Sequence, residues 1–156
     1  MKNIAFTFLA LTTFLFASCS SDDATDTEKP TIVLLSPADH AEFEMGSTIQ
    51  VEALLTDNDA LASYKIEIHS AEDGHSHSHA RATTNYFQYE ETVVLSTNPK
   101  VYELQHAVTI PLLQNDEPLT DGHYHLGIFV LDKSGNQAQV FTEIYIGADD
   151  EHHHHK

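Results

Sequence analysis

The sequence predicts an all-β fold, an antiparallel sandwich of about seven strands, and three observations carry that reading. Between positions 30 and 147, apolar and polar residues alternate with a period of two. The apolar set is rich in Val, Ile, Tyr, Phe and Thr, which suit a pleated, half-buried surface. Turn residues interrupt the pattern at short intervals, and no stretch carries a helical stripe.

The strands follow in order. TIVLLS (31–36) ends at Ser36-Pro37, and TIQVEALLT (48–56) ends at Asp57-Asn58-Asp59. SYKIEIH (63–69) runs into GHSHSHA (74–80). FQYEETVVL (87–95) stops before Asn98-Pro99, and VYELQHAVTI (101–110) follows. HYHLGIFVLD (123–132) lies between Asp121-Gly122 and Ser134-Gly135-Asn136, and AQVFTEIYI (138–146) closes the set. Seven short strands at this spacing fit an immunoglobulin-like β-sandwich. The stretch 30–147 is long enough to bury its own core.

The ends of the chain read differently. Residues 1–18 have an early Lys2, a short apolar run and small residues before Cys19, the pattern of a secretory signal. Residues 19–29 are small and acidic without periodicity, and read as a flexible tether. Residues 148–156 form an acidic tail with His152, His153, His154 and His155. The chain has a formal charge of −17, and losing 1–18 removes only Lys2 from the charged set, giving −18. Such a chain repels nucleic acid and attracts cations, so no nucleic-acid partner is expected. Cys19 is the sole cysteine, which excludes an intramolecular disulfide.

Phe16-Ala17-Ser18-Cys19 resembles the lipobox of bacterial lipoproteins, with Phe16 where that family usually has Leu. The resemblance implies lipidation of Cys19 and a membrane attachment through the N-terminal lipid. Ser20-Ser21-Asp22-Asp23 looks like the acidic export signal of Bacteroidetes-type lipoproteins. It implies an outer-membrane lipoprotein, on the periplasmic face or at the cell surface. Thr31-Ile32 before Ser36-Pro37, Gly46, Asp57 before Leu61 and Tyr64, Gly122-His123-Tyr124-His125 and Asp132-Lys133-Ser134-Gly135-Asn136 resemble bacterial immunoglobulin-like and cadherin-like repeats. Residues 30–147 are similar to small Bacteroidetes-type lipoproteins with one such domain. That resemblance implies a fold and no reaction.

Strand parity then places the histidines. With strands running alternately up and down, His40, His69, His75, His77, His79, His106, His123, His125 and the tail histidines all fall at or near one pole, and the tether enters at the other. Tyr124, Leu126, Ile128 and Val130 face the core, so His123 and His125 share the outer face, about 7 Å apart along the strand. Tyr64, Ile66 and Ile68 point inward, which turns Lys65, Glu67 and His69 outward. The third and sixth strands are antiparallel neighbours in this architecture, so His69 should meet His123 or His125. His75, His77 and His79 follow in a loop able to fold over that patch. His106 shares parity with Leu104, Val108 and Ile110; it is either a buried, hydrogen-bonded histidine or an inward-leaning ligand.

Neutral imidazoles ligate zinc, copper and nickel. The expected metal is zinc, with copper(II) and nickel as alternatives, held by His69, His123 and His125 with help from His75, His77, His79 and His106. Thiolate ligation is excluded because the one cysteine lies in the tether. The expected role is metal capture, buffering or delivery to an outer-membrane transporter. The alternative is a structural or adhesive module that binds a protein or glycan. Calcium is the rival ion: Asp57-Asn58-Asp59 and Asp132 share the opposite pole, although both motifs are also ordinary turn chemistry. No nucleophile elbow, HExxH or Gly-rich phosphate loop is present, so an enzyme is not expected.

Overall fold

A computed structural model describes residues 25–71 and 84–147. It contains β1 (Thr31–Ser36), β2 (Ala41–Phe43), β3 (Thr48–Thr56), β4 (Leu61–Ser70), β5 (Tyr89–Val94), β6 (Val101–Thr109), β7 (Leu113–Gln114), β8 (Glu117–Pro118), β9 (Gly122–Asp132) and β10 (Gln137–Ile146). One sheet has the order β1-β3-β6 and the other β2-β10-β9-β4-β5. All pairings in these sheets are antiparallel except β2 with β10, which is parallel. The chain is an all-β, immunoglobulin-like sandwich.

Each long strand forms where the sequence alternates. In β3, Ile49, Val51, Ala53 and Leu55 are buried, with more exposed residues between them. Tyr64, Ile66 and Ile68 of β4 and Tyr124, Leu126, Ile128 and Val130 of β9 meet them in one continuous core, joined by Leu104, Val108, Ile144 and Ile146. Burying each large aliphatic side chain contributes about 1.5–3 kcal/mol, so the period-two pattern itself selects which faces meet.

Three short strands escape the sequence pattern. β2 has three residues, too few to show a period. β7 and β8 form a two-residue hairpin around Asn115 and Asp116, both with positive φ. That is the backbone of a type I′ turn, and Asn and Asp tolerate it well. Asn85 holds the hairpin in place, donating from Nδ2 to the carbonyls of Gln114 (2.8 Å) and Glu117 (2.9 Å).

Tyr124 fixes the start of β9. It is fully buried; its hydroxyl donates to the Thr120 carbonyl (2.8 Å) and accepts from the Phe87 N–H (3.2 Å). A tyrosine bonded to the backbone four residues upstream is the corner device of immunoglobulin-like sandwiches.

The two ends of the sandwich differ in chemistry. One end gathers the close of β4, the start of β9, the close of β10 and the β1–β2 connection, and here His40 donates its N–H to the Glu143 carbonyl (2.7 Å). The other end gathers the β3–β4 connection and the β9–β10 turn. The incoming chain docks at that second end, where the Asp26 carbonyl accepts from Asn136 Nδ2 (3.1 Å). Among the described residues, no helix is long and apolar enough to cross a membrane.

Candidate metal centre

The histidine end is built on the outer face of the five-stranded sheet. Antiparallel pairing of β4 with β9 sets His69 directly opposite His125, with ring centroids 5.5 Å apart and planes at 81°. The structure therefore brings together the end of β4 and the start of β9, as strand order and parity require. His69 Nδ1 lies 3.2 Å from the Ser70 carbonyl. A proton on Nδ1 suits that contact and leaves the Nε2 lone pair free toward the surface. Glu67 lies on the same face, its Oε1 3.9 Å from His69 Nε2.

His123 stands one strand step from His125 on the same face and turns the other way. Its ring packs edge-on against Tyr145 (5.4 Å), and its Nδ1 lies 2.8 Å from Glu143 Oε1. Glu143 is itself the register partner of His125 on β10 and reaches His40 Nδ1 at 3.4 Å. The result is a strip of four imidazoles and two carboxylates, Glu67 and Glu143: His69 and His125 face each other, while Glu143 gathers His123 and His40. Glu143 was missed in the sequence. Its parity with Tyr145 in the last strand was the available signal, since that strand flanks β9.

A second carboxylate orders the neighbouring connection. Asp39 Oδ1 accepts from the Glu143 N–H (3.0 Å) and the Thr142 hydroxyl (3.2 Å). The Glu143 N–H bond, followed by the Thr142 hydroxyl and the adjacent His40, holds the Asp39 carboxyl below the usual carboxylate range. Asp39 thereby fastens the connection carrying His40 to β10.

His106 does not join this group. It sits between the sheets, with its side chain 11% exposed. Tyr89 donates its hydroxyl proton to Glu91 Oε2 (2.6 Å), and the same hydroxyl oxygen lies 2.7 Å from His106 Nε2. Tyr64 OH lies 3.3 Å from Nδ1. One consistent chain satisfies every group: Tyr64 donates to Nδ1, Nε2–H donates to Tyr89, and Tyr89 donates to Glu91. Both ring nitrogens are engaged, the arrangement of a buried, hydrogen-bonded histidine.

His75, His77 and His79, the lipidation residue Cys19 and the tail histidines lie outside the described residues. Among the described residues, one group of three potential ligands has its donor atoms mutually within 4.8 Å, and it is at the other end: Asp26, Asp57 and Asp132. Asp57 and Asp132 were legible as turn aspartates. Asp26, in the acidic lead-in, carried no periodic or motif signal.

Solved structures share the architecture at low identity. The O-glycopeptide-binding OgpA of Akkermansia muciniphila, crystallised with an O-glycopeptide substrate in catalytically inactive form, has a segment 12% identical with a TM-score of 0.48, covering 82% of this chain and 32% of that one. Fibronectin(III)-like modules of Clostridium thermocellum CbhA are 13% identical with a TM-score of 0.45, covering 75% of this chain and 96% of theirs. A β-glucosidase of Listeria innocua is 15% identical with a TM-score of 0.41, covering 76% of this chain and 16% of that enzyme. The chain thus spans about a third or less of the OgpA and β-glucosidase chains. No curated protein matches it. Residues 17–147 match one family along most of the sequence, and the chain belongs to it: Domain of unknown function (DUF4625).

Proposed function

We propose that the chain is a lipid-anchored envelope module that captures or buffers a transition metal, zinc first, and delivers it to an outer-membrane transporter. The apposition of His69 and His125 on neighbouring strands carries this reading. Two imidazoles fixed on a rigid strand pair lose little freedom on binding an ion, unlike imidazoles on a free chain. Zinc takes nitrogen at about 2.0–2.1 Å in a tetrahedron, which a small rotation of the two rings can supply. His123 and Glu143 are the adjacent donors, and copper(II) and nickel suit the same set. The role in this reading is binding.

Cys19 is proposed as the anchor, and His75, His77 and His79 as added ligands, on sequence grounds. A second reading, an adhesive module for a protein or glycan, is favoured by Phe141 and Leu131, which are 44% and 40% exposed on the same outer face. Zinc-independent binding that is lost in Phe141→Ala would support it.

Isothermal titration of the full chain tests the metal reading, with His152, His153, His154 and His155 each changed to Ser to remove the tail's chelation. Zinc should bind at one equivalent, and His69→Ala combined with His125→Ala should weaken it at least about tenfold, since even outer-shell losses cost that much. Unchanged affinity in the double variant would overturn the site.

A further inference from the structure

Beside the facing pair, a second group of donors gathers around Glu143. Glu143 lies on β10, His123 at the start of β9, and His40 in the β1–β2 connection. The three come from separate parts of the chain and meet at one carboxylate oxygen. Glu143 Oε1 is 2.8 Å from His123 Nδ1 and 3.4 Å from His40 Nδ1. Because His123 turns away from His125, its Nδ1 serves this group and not the facing pair.

Backbone contacts hold the meeting in place. His40 has a φ of 59°, in the left-handed region that few residues other than glycine occupy. Its N–H donates to the Glu143 carbonyl (2.7 Å), and the Glu143 N–H donates to Asp39 Oδ1 (3.0 Å). An unfavourable backbone conformation is thus fastened twice to Glu143, and it delivers an imidazole to that residue's carboxylate.

The surroundings of the His40 ring point to a cation. Asp39 Oδ2 lies 3.4 Å from His40 Nε2. A proton on Nε2 suits that carboxylate and leaves the Nδ1 lone pair facing Glu143 Oε1. A lone pair and a carboxylate oxygen at 3.4 Å repel each other unless a cation joins them. Metal-bound histidines are flanked in the same way, with one nitrogen on the ion and the other against a carboxylate.

We propose that His40, His123 and Glu143 hold a second zinc ion, more weakly than His69 and His125 hold the first. This rests on the reading of this end as a zinc-binding one and adds a position to it. Two imidazoles and one glutamate form a known zinc set that leaves the fourth place of the tetrahedron open. Mixed nitrogen and oxygen donors suit zinc over calcium, whose ligands are all oxygen. The His40 and His123 side chains are 68% and 59% exposed, so their rings can turn to bring both nitrogens to zinc distance. Ordering exposed rings costs freedom, which makes this the weaker position. Its open place admits a donor from an acceptor protein before the ion leaves, as delivery requires. The strip then carries one fixed ion and one exchangeable ion, a strand step apart.

Zinc chloride titrated calorimetrically into the full chain, with His152, His153, His154 and His155 each changed to Ser, tests the second position. A second equivalent should bind after the first and more weakly. His40→Asn keeps a residue that tolerates the left-handed backbone. It should weaken the second equivalent at least about tenfold and leave the first unchanged. In side-chain 15N spectra, ring nitrogens of His40 and His123 should move with the second equivalent. His69→Ala combined with His125→Ala should weaken the first equivalent and spare the second, so the two positions are read separately. No second equivalent, a second equivalent of parental affinity in His40→Asn, or His40 nitrogens that do not move with it would each overturn the proposal. A first equivalent that survives the changes at His69 and His125 would instead overturn the facing-pair reading.

Discussion

His106 and His69 are both histidines at the outer reaches of strands, yet their surroundings give them different chemistry. His106 spends both ring nitrogens on Tyr64 and Tyr89 inside the sandwich. His69 keeps one nitrogen at the surface opposite His125. The parity of His106 with Leu104 and Val108 was visible in the sequence and set its inward direction. The two tyrosines that satisfy it were not, because they come from strands 17 and 42 positions away. His106→Leu removes the ring that joins the Tyr64 and Tyr89 hydroxyls, and should cost about 1–3 kcal/mol of unfolding free energy by urea denaturation. Zinc affinity should be unchanged in that variant.

At the scale of elements, the long strands were legible and the short ones were not. A nine-residue run such as TIQVEALLT repeats its period often enough to fix its buried face, whereas Ala41–Phe43 contains barely one repeat. The Asn115-Asp116 turn left a local signal, but its flanking strands are two residues each. Pairing partners came from architecture: β4 beside β9 follows from the sandwich, and His69 opposite His125 follows from that pairing. Gly127 shows what one element demands of its neighbour. A Cβ there would lie 2.6 Å from Phe141 Cε1 and 3.0 Å from Phe129 Cε2, on the outer face. Since Phe141 is partly exposed, its ring can swing outward. Gly127→Ala should therefore destabilise the domain by about 1 kcal/mol, the low end for overpacking, with β4–β9 register kept. Thermal denaturation measures the loss, and backbone amide shifts of His69 and His125 check the register.

For the whole molecule, three buried or half-buried tyrosines set the response to alkali. Burial, with Tyr102 nearby, raises Tyr64 to about 12, and burial also raises Tyr89 and Tyr124 above the ordinary value of 10.0. The fold favours the neutral phenol, so the unfolded chain loses its protons first. Stability from these groups is whole below about pH 10 and falls as pH rises from there toward 12. The urea midpoint should hold between pH 8 and 9.5 and drop steeply above about 10. The molecule also divides its side chains by pole, with facing imidazoles at one end and three clustered carboxylates at the other. Strand count and direction foretold that division for the histidines. Asp26 had to be seen in space, because a loose acidic segment and a docked one look alike in composition.

The central claim is that zinc is held by the facing imidazoles of β4 and β9. Side-chain 15N spectra of the full chain, with His152, His153, His154 and His155 each changed to Ser, test it most directly. One equivalent of zinc should move a ring nitrogen of both His69 and His125, while His106 stays where it was. Zinc that leaves the His69 and His125 nitrogens unmoved, whatever it does elsewhere, would contradict the account.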